Sequence, residues 1–144
     1  MNLTEHFTLE ELTFSSTAVR LGIDNTSPEE IIPALQHLSL GLELVRSILG
    51  HPIHIDSGYR CQALNKSVGG VPTSAHRTGY AADFVCPAFG TPLEIVRKIE
   101  ASSIQFDQLI QEGNWVHISF DPRMRRQVMT AHFKDGKASY TQGA

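Results

Sequence analysis

Cysteine is scarce in this chain. There are two, Cys61 and Cys86, and neither belongs to a CxxC pair, which argues against a thiolate zinc site. A disulfide between them and two separate thiols both remain open, and no spacing ties either to a histidine as a nucleophile. Long apolar runs are missing too, so no segment is fit to cross a bilayer and no membrane partner is expected. An excess of positive charge is absent: a formal net charge of −3 gives no basic field, and duplex nucleic acid is not an expected partner. The opening Met1-Asn2-Leu3-Thr4-Glu5-His6 has neither the basic start nor the apolar run of a signal peptide. A substrate outside the cytoplasm must then be reached by another route, or through a membrane already breached. No GxxxxGK[ST] or GxGxxG loop is present to cradle phosphate, and there is no repeat, coiled coil or low-complexity linker.

What is present fits one compact domain over residues 1–144, with 41% apolar residues to build its core. Thr8 is placed to cap a short helix, with Glu11 three residues on as in a capping box. A second short turn spans Ser16 to Leu21, and Gly22 ends it. Ser27-Pro28-Glu29-Glu30 reads as the start of a long helix whose apolar stripe is Ile31, Leu35, Leu38, Leu42, Val45 and Leu49, stopped by Gly50. His37 on it is expected at the surface. Strands are expected at 53–57, 80–85, 105–110, 115–120 and 127–133, with a second capped helix starting at Thr91-Pro92. Gln111-Glu112-Gly113-Asn114 is a hairpin turn. Arg123, Arg125 and Arg126 read as a solvated basic turn, Lys134-Asp135-Gly136-Lys137 as a turn back, and the last few residues as frayed.

The chemistry concentrates between Ser57 and Asp83 and returns at His117. His76 and Asp83 lie seven residues apart in Ser74-Ala75-His76-Arg77-Thr78-Gly79-Tyr80-Ala81-Ala82-Asp83. Strand alternation puts Asp83 on one face with Ala81 and Val85, inside an otherwise apolar segment where an unpaired charge is costly. The same rule puts His117 on the polar face of its strand with Trp115 and Ser119, away from Val116, Ile118 and Phe120. Two imidazoles and a carboxylate suit one Zn²⁺ with a position left open for water.

The ordered motifs resemble the M15 family of zinc peptidases, the D-alanyl-D-alanine carboxypeptidase group. The likeness rests on Ser57-Gly58-Tyr59-Arg60, Ala63-Leu64-Asn65, Val68-Gly69-Gly70, Ser74-x-His76 and Gly79-x-Ala81-Ala82-Asp83. Phe106-Asp107-Gln108-Leu109-Ile110 and Trp115-Val116-His117-Ile118-Ser119-Phe120 extend it, so that it spans about Leu3 to Ala131. Phe7-Thr8-Leu9-x-Glu11-Leu12 and Leu21-Gly22-Ile23-Asp24-Asn25 look like the small members found in bacteriophages and prophages. The resemblance implies an α+β fold of the Hedgehog/DD-peptidase kind, a small antiparallel sheet with flanking helices. It implies His76, Asp83 and His117 as the ligands of one Zn²⁺, Arg60 as the holder of a substrate carboxylate or carbonyl, and Ser74 as a supporting residue. Tyr59 and Gln108 join the expected substrate contacts. The implied substrate is the stem peptide of peptidoglycan, cut either at a terminal D-Ala-D-Ala bond or, as in endolysins, at an internal one. Such a protein is made in a host cytoplasm to act on the wall, or is carried in a phage particle. A monomer is expected.

One position departs from the better-known members. They often carry the catalytic acid three residues before the last ligand, where this chain has Asn114, and an amide cannot take a proton from water. Glu112 is the expected general base, and Asp107 is the reserve. The alternative function is a zinc-retaining but non-catalytic binding or structural module of a phage or cell-wall assembly.

Overall fold

In a computed structural model, which describes residues 1–144, one mixed sheet carries the site and the helices pack mainly against its other face. The helices are α1 (Leu9–Thr13), α2 (Ser16–Leu21), α3 (Ile32–Leu49), α4 (Gln62–Ser67), α5 (Ala75–Thr78) and α6 (Pro92–Glu100). The strands are β1 (His54–Ser57), β2 (Ala81–Val85), β3 (Gln108–Gln111), β4 (Val116–Ser119), β5 (Gln127–Lys134) and β6 (Lys137–Gln142). Their order in the sheet is β1-β2-β4-β3-β5-β6. All neighbours are antiparallel except β3 and β5, which run parallel, so the expected α+β class holds while the sheet is mixed. The segment from Gly113 to Arg126 makes β4 and returns before β5, which is why β5 can pair beside β3 in the same direction. No helix is long and apolar enough to cross a membrane.

The period-two pattern divides the sheet into a core face and a site face. Ala82, Phe84, Leu109, Val116, Ile118 and Val128 are buried with Leu35, Leu38 and Leu42 of α3 and Ile95, Val96 and Ile99 of α6 in one cluster. Gly41 lets α3 come close to the sheet's end, because a Cβ there would run into the ring of Phe120. The long helix begins later than Ser27-Pro28 implies. A 3₁₀ turn over Glu29–Ile31 precedes α3, and no side chain caps either segment. Pro33 is the reason: with no N–H to give, it belongs in the first turn of the α-helix, where no donor is needed. Thr91 and Glu94, by contrast, make a reciprocal capping box with Pro92 in the first turn of α6. Thr8 caps α1 by accepting from the Glu11 N–H at 3.1 Å.

Two expectations near the C-terminus are corrected. The final residues are not frayed: Lys137–Gln142 form β6, paired along β5 from Lys134 to Met129. The turn between them is Asp135-Gly136, both with positive φ, the geometry a two-residue hairpin needs. The three arginines are not a solvated turn. Arg125 forks onto Asp107, and Arg126 donates to the carbonyls of Ser102 and Ile104 and lies 4.8 Å over the Phe106 ring. Arg123 and Arg125 keep exposed surface, and Arg123 reaches Asp121. The buried Asp107 accounts for this, since a carboxylate only 1% exposed needs a charged donor. The cysteines are free thiols: Cys61 accepts from the Leu64 N–H at the start of α4, and Cys86 is buried in the core.

Candidate metal centre

Register assembles the centre. Asp83 on β2 is the direct partner of His117 on β4, so the two side chains rise from the same face at neighbouring positions. Ile110 and Met129 continue that row across β3 and β5. His76 arrives from outside the sheet on α5, a single turn capped by Ser74, whose hydroxyl accepts from the His76 N–H at 3.2 Å. Gly79, with φ of 84°, ends that turn and returns the chain to β2.

His76 is fixed from behind. Its Nδ1 lies 2.7 Å from the carbonyl oxygen of Gly58, which can only accept, so Nδ1 carries the proton and Nε2 is bare. That bare nitrogen is buried without a hydrogen-bond partner and sits 3.3 Å from Asp83 Oδ1. His117 Nδ1 lies 3.0 Å from the same oxygen. The three donor atoms fall within 4.8 Å of one another. Donors bound tetrahedrally at zinc distances stand roughly 3.3 Å apart, close to the separations of Asp83 Oδ1 from the two imidazole nitrogens. Two electron-pair donors, Nε2 of His76 and Oδ1 of Asp83, face each other across that gap, and a cation between them removes the repulsion. His76, Asp83 and His117 can therefore hold a metal ion.

Protonation agrees with this. Burial pushes His76 down, toward the neutral imidazole a metal requires, against the pull of Asp83. Burial alone would raise Asp83, but His76 and then His117, when their imidazoles carry a proton's charge, outweigh it and hold the carboxyl far below the usual range, so the carboxylate wants a cation in that place. Burial pushes Glu112 above the ordinary carboxyl range, with Asp83 adding to that and His117 and Arg60 opposing it.

A cavity of about 580 Å³ opens over the cluster and brings together His76, Asp83, His117, Arg60, Ser74, Gln108 and Glu112. Arg60 donates from Nη1 to Asn65 Oδ1 at 3.2 Å and holds Nη2 4.0 Å from Asp83 Oδ2. Gln108 donates to the Gln127 side chain at 3.1 Å. Glu112 is half-buried in the cavity wall, whereas Asn114 is exposed in the turn beyond it. Asp107 lies outside the cavity with both oxygens bound: Oδ1 accepts from the backbone N–H and Nε of Arg125, and Oδ2 from Nη2. Tyr59 is not brought to the cavity either. It is buried in the core, its N–H bonded to the Leu12 carbonyl.

Three further residues matter that the sequence reading left without a role. Asn25 donates to the carbonyls of Thr13 and Tyr59 and accepts from the Cys61 N–H, so it anchors the backbone on both sides of Arg60. Asn65 holds Arg60 and, through Nδ2, the Val71 carbonyl. Tyr140 of β6 reaches the cavity, where burial, then Glu112 and Asp83, push its hydroxyl's pKa up. The two asparagines stand inside the motifs quoted above, which was their only signal; Tyr140 follows an Asp-Gly turn that marks a hairpin.

A comparison with curated proteins found no match. The family model described as Peptidase M15 matches residues 5–119, a span holding His76, Asp83 and His117, which can hold a metal ion, together with Arg60 and Glu112. The chain belongs to the peptidase M15 family.

Proposed function

We propose that the protein is a zinc-dependent hydrolase of peptide bonds in the stem peptides of peptidoglycan. The observation that carries this reading is the bare, buried His76 nitrogen facing Asp83 and His117 at the base of a cavity, within the family's matched span. Two nitrogens and one oxygen form a donor set suited to zinc, with a position left for water. His76, Asp83 and His117 would hold a zinc ion, which when bound would supply Lewis acidity for a carbonyl and for the activation of water.

The remaining work falls to the chain's own side chains. Glu112 takes the proton of the attacking water and passes it to the leaving amine, a role its raised pKa and place in the wall support. Asp107, tied by Arg125, is less suited. Arg60, with donors to spare, orients a carbonyl or carboxylate of the substrate and balances charge beside Asp83. Ser74 sets the turn that carries His76, and Gln108 offers an amide to the peptide. Within the family we place the chain with the small phage and prophage members, on its opening motifs, as a monomer that reaches the wall from a host cytoplasm or from a particle. The non-catalytic module is the competing reading, and Glu112 facing the cavity weighs against it.

Digestion of purified cell wall, with product masses and metal content measured together, tests the reading. Release of stem-peptide fragments that stops on chelation and returns with zinc is expected. A zinc-loaded protein that releases nothing between about pH 5 and 9 would leave the module reading in its place.

A further inference from the structure

Beside the row of side chains that forms the metal cluster runs a second row. Two residues along the strands from Asp83, His117, Ile110 and Met129, the same registers set Trp115, Glu112, Ala131 and Tyr140 side by side on the site face. The Glu112 N–H bonds to the Trp115 carbonyl at 3.0 Å and carries the β3–β4 ladder that far. Glu112 and Tyr140 then stand about 10 Å apart, two strand spacings, with the methyl of Ala131 between them. Ala131 is 7% exposed although it lies outside the core cluster, so its cover comes from the site side, where its direct partner is Tyr140. Tyr140 lines the cavity with Glu112, and burial, followed by the charges of Glu112 and Asp83, pushes its pKa up, so the phenol keeps a proton to donate. On the opposite face of β6 the Thr141 hydroxyl is bonded to His132 at 2.9 Å, whereas the Tyr140 hydroxyl has no such partner in the chain.

We infer that Tyr140 holds the leaving part of the substrate, its hydroxyl donating to the carbonyl or carboxylate oxygen of the residue that carries the freed amine. This rests on the peptidase reading above and on Glu112 as its base. Glu112 gives its proton to the leaving amine, so that amine stands at Glu112. Tyr140 is on the far side of Glu112 from His117, where the fragment attached to the amine leads away from the cluster. The cavity's arginines serve other places. Arg123 and Arg125 precede β5 and so lie beyond Met129 in the other direction, with Gln108 at the start of β3. Arg60 stands beside Asp83, on the β2 side of the cluster. At the Glu112 end the neighbouring side chains are the rings of Trp115 and Phe133, with centroids 6.3 Å apart. A peptide oxygen brought there needs a donor, and the free phenol is placed to supply it.

The test measures how the two product fragments of a stem peptide bind to the zinc-loaded protein, as inhibitors of hydrolysis and by calorimetry. Tyr140→Phe removes one oxygen at a position 51% exposed and keeps the ring. It should weaken the fragment bearing the new amine about three- to tenfold, the worth of one neutral hydrogen bond, and the fragment bearing the new carboxylate less than about twofold. KM of the parent peptide should rise by the same factor as the amine fragment's loss, with kcat within about twofold, because the contact is equal in the ground and transition states. Thr141→Val, which removes a hydroxyl from the other face of the same strand, should change neither fragment. Equal losses for both fragments, a loss confined to the carboxylate fragment, no loss, or the same selective loss from Thr141→Val would overturn the inference and leave the peptidase reading standing. A wild-type protein that yields no fragments ends both.

Discussion

At the scale of single residues the site separates groups that do chemistry from groups that keep them in place. Glu112 belongs to the first kind in our reading. Glu112→Gln keeps the shape and removes the base, so hydrolysis of stem peptide should fall by about 10²–10⁴. Zinc content by mass spectrometry should stay at the wild-type level; unchanged activity would remove Glu112 from the mechanism. Asp107 belongs to the second kind. Hydrogen bonds from Arg125, outweighing the opposing effect of burial, hold its carboxyl below the ordinary range. A depressed folded-state pKa adds stability that is complete above the unfolded value and is lost as pH falls through the folded one. Asp107→Asn should therefore lower stability near neutral pH by roughly 1.5–3 kcal/mol, the net worth of hydrogen bonds to a charged group. In denaturant melts the gap from wild type should shrink as pH drops below about 4. A gap that stays constant with pH contradicts the assignment.

At the scale of elements, the close approach of α1 to the end of β1 governs His76, the candidate metal ligand behind it. A Cβ on Gly58 would meet the backbone carbonyl of Leu12, which cannot swing aside as a side chain can, and the Gly58 carbonyl is the acceptor that orients His76. Gly58→Ala should weaken zinc binding by about 10–100-fold, the usual cost of losing a ligand's outer partner. Competition with a chelator measures this, and an unaltered affinity would show that the contact does not orient the ring. Elements of this kind were legible where a local rule decides them: the Thr91 cap, the alternation that put His117 on the polar face of its strand and Asp83 on the face opposite Ala82 and Phe84, the glycine that ends α3. They were not legible where a distant partner decides. The three arginines read as a solvated turn because Asp107, many residues earlier, gives no sign in sequence that it is buried and waiting for Arg125. β6 was missed although its Asp-Gly turn was seen, because six exposed residues carry no buried face to announce a strand.

At the scale of the whole molecule, segments far apart in sequence meet at one ion-sized gap. A sheet whose register opposes Asp83 to His117 supplies two donors, and a one-turn helix supplies the third. The motif order pointed to the three residues, while their convergence depended on a register that spacing does not fix. The mixed sheet, with β5 parallel to β3, brings Met129 and Tyr140 to the same cavity from beyond the span the family model matches. The most direct test is a zinc titration of chelator-stripped protein, followed by calorimetry and by thermal melting. One ion per chain is expected, with the folded state stabilised by about 2.7 kcal/mol when free zinc is a hundred times Kd. His76→Ala, Asp83→Ala and His117→Ala should each abolish high-affinity uptake. Wild-type protein that takes up no zinc, or three variants that bind it as tightly as wild type, would contradict the account.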